Sequence, residues 1–103
     1  MRHERLGPFT VIVPETRRER ARGLLGRDGL EPGHGLLLER CRSVHTFGMK
    51  FSIDVVLLDR SWQAVRVIRM PPGRLLLPRR GGRHMLEVAA GHAPPLGTAL
   101  RAP

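Results

Sequence analysis

The residues best equipped for chemistry gather in one short stretch. Val44 to Asp59 contains His45, Thr46, Phe47, Met49 and Asp54 just ahead of, and at the start of, the densest aliphatic run of the chain. An imidazole and a carboxylate at the edge of an interior can work as a pair. Asp54 would orient His45 and stabilise its charged form, and His45 would act as acid, base or ligand. The same residues also have an architectural reading. Asp54 can bond the backbone N–H groups of a bend while His45 donates to a carbonyl, since buried polar groups need partners in either case. As a binding site, the stretch offers His45, Thr46 and Asp54 as polar contacts and Met49 and Phe47 as adaptable apolar walls, with Glu87 as a further candidate contact.

Other chemistry is less well specified. The histidines are His3, His34, His45, His84 and His92, and the single cysteine is Cys41. No Cys-x-x-Cys, His-x-His or His-Glu-x-x-His occurs, so a metal site would have to be assembled across strands, from His45, His84 and Glu87. No metal or other cofactor is expected. Cys41 lies between Arg40 and Arg42 and close to His45, but a lone cysteine beside a strand is usually a small buried hydrophobe rather than a nucleophile. Arg79, Arg80 and Arg83 flank Gly81-Gly82, where exposed backbone N–H groups could cradle a phosphate; an ordinary turn explains the same residues.

Composition narrows the functional classes. A chain of 103 residues makes one domain, spanning residues 1–103, and hydrophobic residues at 41% are enough for a core. Aromatics are only 4%, so aliphatic side chains must fill that core. One cysteine excludes an internal disulfide framework. No apolar run approaches the roughly 18 residues of a membrane span. Met1 to Pro14 lacks the apolar middle of a signal peptide, so a cytoplasmic monomer is expected. The net charge is +9, and every basic residue except Lys50 is an arginine. Clustered guanidinium groups attract polyanions, but no nucleic-acid-binding motif accompanies the charge, so a solvated surface is the preferred reading and nucleic acid the less favoured partner. The expected partner is a small molecule or another protein, with no membrane role.

These residues must be held by short strands. Phe9–Val13 alternates weakly and stops at Pro14, which suggests an edge strand. Thr16 and Glu19 have capping-box spacing and open a helix from Arg17 to about Leu25, with Gly26 available to end it. Ala21, Leu24 and Leu25 form its narrow apolar stripe. Gly29–Gly35 reads as a loop and Leu36–Leu38 as a short strand, with Cys41–Met49 connecting to a central strand at Ile53–Leu58. Ala64–Met70 returns antiparallel, and Leu75–Pro78 is either strand or extended crossover. His84–Ala90 is the next strand, with Met85 and Glu87 on one face and Leu86 and Val88 on the other; Thr98–Leu100 closes the chain. The pattern is mainly β (α+β): a small β-sandwich or partly closed barrel with one short N-terminal helix.

The stretch His-Thr-Phe-Gly-Met-Lys-Phe-Ser-Ile-Asp-Val-Val-Leu-Leu-Asp resembles the signature of the family called domain of unknown function 192 (DUF192), in the branch that reads His-Thr-x-x-Met-x-x-x-Ile-Asp. Arg22-Gly23-Leu24-Leu25-Gly26-Arg27, Gly35-Leu36-Leu37-Leu38 and Leu86-Glu87-Val88-Ala89-Ala90-Gly91 resemble further motifs of that family, in the same order. Ser52 stands where a proline is common, and Leu57 and Leu58 where an aromatic often sits. The resemblance implies a small, mostly β fold with one short N-terminal helix, and it implies no activity.

Overall fold

Among the described residues, eight strands and one short helix follow each other along the chain. They are β1 (Arg2–Leu6), β2 (Phe9–Val13), α1 (Arg17–Arg22), β3 (His34–Leu38), β4 (Val44–His45), β5 (Ile53–Leu58), β6 (Ala64–Met70), β7 (Leu75–Leu76) and β8 (His84–Ala89). The computed structural model describes residues 1–78 and 80–101; Arg79, one of the residues considered above for a phosphate cradle, lies outside the described residues. Six strands form one sheet in the order β1-β2-β3-β8-β5-β6, and β4 pairs with β7 in a second, two-stranded sheet. The fold is therefore mainly β with one short helix, and neither sheet closes into a barrel. No helix among the described residues is long and apolar enough to cross a membrane.

The large sheet is mixed. β2 and β3 run parallel, which requires a crossover between them, and that crossover carries α1. β8 runs antiparallel to both its neighbours, β3 and β5. The alternation of side chains along each strand divides the core into two layers. Leu37, Val56, Leu58, Leu86 and Val88 pack on one face together with Leu6, Phe9 and Val11 from the first hairpin. Leu36, Leu38, Ile53, Val55, Leu57 and Met85 pack on the other, beneath Leu24, Val44, Met49 and Leu76. Every residue of β5 is buried, as the expectation of a strand covered on both faces requires.

Several assignments differ from those expected: β3 begins at His34, and β4 lies within the expected Cys41–Met49 connection. β2 is not an edge strand, because β1 pairs along its full length. The sequence Arg-His-Glu-Arg-Leu conceals β1, since only Leu6 of that strand is buried and charged side chains suit an exposed edge. The capping box at Thr16 and Glu19 forms as expected, but α1 ends after one and a half turns. Gly23, at φ 47°, caps it by donating its N–H to the Glu19 carbonyl. Leu24 then drops into the core instead of continuing a helical stripe. At the C-terminal end, Thr98–Leu100 makes no strand; Ala99 forms a single bridge to Gln63. The undecided Leu75–Pro78 segment supplies β7, through Leu75 and Leu76.

Candidate functional site

Glu87 lies at the middle of β8, directly between Leu36 of β3 and Val55 of β5. Period-two alternation puts its side chain on the same face as Met85, Leu36 and Val55, among aliphatic groups. The residue is only 5% exposed. Desolvation alone pushes its carboxyl pKa up to about 7, with no hydrogen bond or neighbouring charge contributing. No fully enclosed side-chain polar atom among the described residues lacks a partner. The Glu87 oxygens therefore meet open space, and that space is a cleft of about 270 Å³.

The cleft has walls from four parts of the chain. Leu24 and Leu25, released by the early end of α1, form one side; Leu36 and Leu38 of β3 form the floor with Glu87; Val44, His45 and Met49 close the opposite side. Cys41, Arg20 and Arg22 complete the rim. Gly35 fixes how closely β3 and β8 approach beneath it, since a Cβ there would lie 2.9 Å from the Glu87 carbonyl oxygen. The Cys41 Sγ donates to the Ser43 carbonyl oxygen at 3.0 Å, and burial pushes its thiol pKa up. A thiol held protonated in this way is a poor nucleophile. A carboxyl that titrates near neutrality in an apolar cleft can accept a hydrogen bond, neutralise a cation, or take and return a proton.

The structure divides the sequence candidates. His45, Met49 and Glu87 line the cleft. His45 is exposed on β4; its Nδ1 accepts the Phe47 N–H at 3.2 Å, and its ring stacks on Phe47 at 5.1 Å. Phe47 itself is half exposed and is not part of the cleft. Thr46 is fully buried and clamps the bend to the turn after β6. Its Oγ1 donates to the Pro71 carbonyl at 2.7 Å and accepts the Arg74 N–H at 2.9 Å. Its backbone N–H reaches the Arg74 carbonyl, and its carbonyl accepts from Gly73.

Asp54 does not join His45. It alternates with Ile53 and Val55 along β5, so it points to the face opposite Glu87. There it accepts from Arg69 Nε at 2.7 Å, Arg69 Nη2 at 3.3 Å and the Gly91 N–H at 2.9 Å. The Arg69 guanidinium is the main cause holding its pKa below the ordinary carboxylate range. The pair in which Asp54 orients His45 is thus absent, because one-residue alternation sends the carboxylate to the wrong side of the sheet. The cross-strand metal trio fails for the same reason. His84 and Glu87 stand an odd number of residues apart on one strand, and no group of three or more His, Cys, Asp or Glu side chains converges among the described residues. Sequence reasoning missed the contributions of Arg20, Leu24 and Leu25. The expected helix through Leu25 hid them, and the glycine at position 23 was the signal that could have exposed them.

The comparisons agree with the fold. The family model of DUF192, described as uncharacterized ACR, matches residues 1–100. The chain belongs to this family. Among curated DUF192 relatives, a UPF0127 protein of Thermococcus sibiricus is 39% identical over 49 residues, which is 48% of this chain and 32% of that protein. A UPF0127 protein of Pyrococcus horikoshii is 37% identical over 49 residues, covering 48% of this chain and 43% of its own length. The match thus spans less than half of each relative. Among solved structures, a Sinorhizobium meliloti protein named as a candidate transcription regulator superposes with a TM-score of 0.71 at 19% identity, over 82% of this chain and 70% of that one. A Novosphingobium aromaticivorans protein of unknown function gives 0.68 at 18% identity, over 81% and 64%. At such identities the likeness is one of fold.

Proposed function

We propose that this DUF192 protein is a small-molecule binding module whose ligand occupies the cleft floored by Glu87. The observation that supports this reading is the carboxyl itself, buried among aliphatic side chains with no hydrogen-bond donor or ion-pair partner among the described residues. An unpartnered buried ionisable group lowers stability and is retained where something other than the fold uses it. Leu24, Leu36, Leu38, Val44 and Met49 suit an apolar body, and Glu87 suits one hydrogen-bond-donating or cationic end. His45 at the rim, with its ring stacked on Phe47, would fix the ligand's outer end.

A titration followed by amide and methyl NMR tests this with short alkylamines as probes, from butylamine to hexylamine. The expected result is saturable shifts confined to Leu24, Leu36, Met49 and neighbouring residues, growing with chain length and lost in Glu87→Leu. Shifts that are scattered over the surface, or equal in Glu87→Leu, would remove Glu87 as the anchor.

A further inference from the structure

A second concavity lies at the end of β8, about 520 Å³ in volume, and its lining has the opposite character. Arg40, Arg60 and Arg83 surround it, with Arg20 at the margin shared with the cleft. Among the described residues, none of the three first-named guanidinium groups has an acidic partner within ion-pair distance. The one acidic residue of the lining, Glu39, is already bonded to Arg2 Nη2 at 2.7 Å. Arg20 spends one N–H on the Glu39 carbonyl at 2.9 Å.

His84 and Trp62 form the remaining wall, stacked at 3.9 Å and 7° between ring planes. The His84 Nδ1 accepts the Arg40 N–H at 3.0 Å, which places the ring proton on Nε2 as a donor. His84 is 6% exposed. Its Nε2 has no partner among the described residues, and no enclosed side-chain polar atom there is unsatisfied, so this nitrogen meets the basin. Burial, and after it the charge of Arg83, lowers the imidazole pKa and keeps the ring neutral, with its geometry as a fixed donor intact. Arg40 and Trp62 are also the non-glycine residues with positive φ among the described residues, at 50° and 62°. Both strained turns thus bring their side chains to this one basin.

We infer that this basin is a binding site for a phosphate monoester, in which the Arg40, Arg60 and Arg83 guanidinium groups and the His84 Nε2–H share the phosphate oxygens. Guanidinium forks match tetrahedral oxyanions, and several of them converging favour a dianion over a singly charged carboxylate or phosphodiester. The basin is far larger than a phosphate group alone, so the phosphate enters attached to a larger molecule. The arginines meet in one concavity rather than along a stripe, which favours a compact ligand over a nucleic-acid backbone. This site is separate from the cleft floored by Glu87, and does not depend on a ligand there.

Calorimetric titration of the whole chain at physiological ionic strength tests the inference, with inorganic pyrophosphate and ribose 5-phosphate as probes. Under those conditions distant charges are screened beyond about 8 Å, so a diffuse surface field contributes little. Arg60→Gln with Arg83→Gln is expected to weaken both probes by roughly tenfold or more, since each charge-assisted bond lost is worth about that factor. Arg17→Gln with Arg66→Gln removes the same charge from outside the basin and is expected to change affinity by less than about twofold, as screening dictates. The His84 imidazole nitrogen signals should shift on addition of pyrophosphate to the native chain and not to the Arg60, Arg83 double variant. Equal losses in the two double variants would overturn the site in favour of net charge. Absence of saturable binding would overturn it outright, as would tenfold tighter binding of a single-stranded oligonucleotide through the same arginines.

Discussion

Two carboxylates sit on adjacent strands of one sheet, on opposite faces, and they have been treated in opposite ways. Asp54 on β5 is 4% exposed and receives three N–H donors, two from one guanidinium and one from a backbone amide. Glu87 on β8 is 5% exposed and receives none among the described residues. Similar burial leads to opposite pKa shifts, because partners favour the charged form and an apolar wall favours the neutral one. Burial alone therefore does not distinguish a structural carboxylate from one kept for a ligand. The partner count does.

Adding a third carboxylate gives the largest expected effect. Val55 is fully buried and faces Glu87 across the β5–β8 ladder. Val55→Asp places a second unpartnered charge beside the first, and a loss of more than about 4 kcal/mol is expected, enough to abolish the cooperative thermal transition seen by circular dichroism. A folded variant would show that this layer tolerates charge, and the contrast with Asp54 would lose its basis.

Next comes the pH dependence that Glu87 imposes. Its pKa is about 7 in the folded chain against 4.5 as the ordinary value. The native state then holds a proton that the unfolded state has lost over that interval, so stability falls as pH rises from 4.5 to 7 and stays low above it. The change is roughly 3 kcal/mol, at 1.36 kcal/mol for each pKa unit. Glu87→Gln should remove most of that slope, measured as urea midpoints at pH 5 and pH 8. A native slope of the opposite sign would place a hidden cation beside the carboxyl.

Asp54 contributes with the opposite sign. Its depressed pKa stabilises the fold fully above the ordinary carboxylate value and loses that contribution as pH falls through the native value. Arg69 is 60% exposed, so solvent screens the ion pair, and Asp54→Asn is expected to cost about 1–2 kcal/mol. Most of that loss is the mismatch of a carboxamide, whose NH2 must face either the Arg69 Nε–H or the Gly91 N–H where the carboxylate accepts from both. An increase in melting temperature would make Asp54, not Glu87, the carboxylate held against the fold's preference.

The smallest effect is expected at the rim. His45→Gln removes an exposed ring whose one bond to protein, among the described residues, is the local contact to Phe47 N–H. A change within about 0.5 kcal/mol is expected by thermal melt, as for most surface positions. A larger loss would make the His45–Phe47 stack a pin of the bend and not a wall of the cleft.

Much of the fold was legible because strand alternation leaves a direct trace. The uninterrupted aliphatic run of β5 and the split of β8 into a Met85–Glu87 face and a Leu86–Val88 face can be read residue by residue. The capping box of α1 is a local chemical pattern and was equally legible. β1 was not, because an edge strand of charged residues has the composition of a loop. The site was legible only in part for a related reason. His45, Met49 and Glu87 could be named, but the face of the sheet to which Asp54 points depends on where the bend at Gly48 hands the chain to β5. That phase is set by tertiary contacts such as the Thr46 clamp to Pro71 and Arg74, which no local pattern encodes. The residue in the signature stretch that looked most like chemistry, Asp54, holds the sheet to the loop at Gly91.

The position of β8 has a consequence for how the chain is made. It is the last strand of the large sheet to leave the ribosome, yet it belongs between β3 and β5. Until it arrives, the β1–β2–β3 and β5–β6 units each present a bare row of amide and carbonyl groups to solvent or to any other nascent chain. No succession of neighbouring hairpins can complete such a sheet, and the joining strand must close long loops on both sides before any ladder bond rewards it. The strand that seals both raw edges is the one that carries Glu87 out of water. Completion of the backbone and creation of the buried acid are one event, so a nascent chain cannot acquire the cleft before the inner edges of β3 and β5 are sealed.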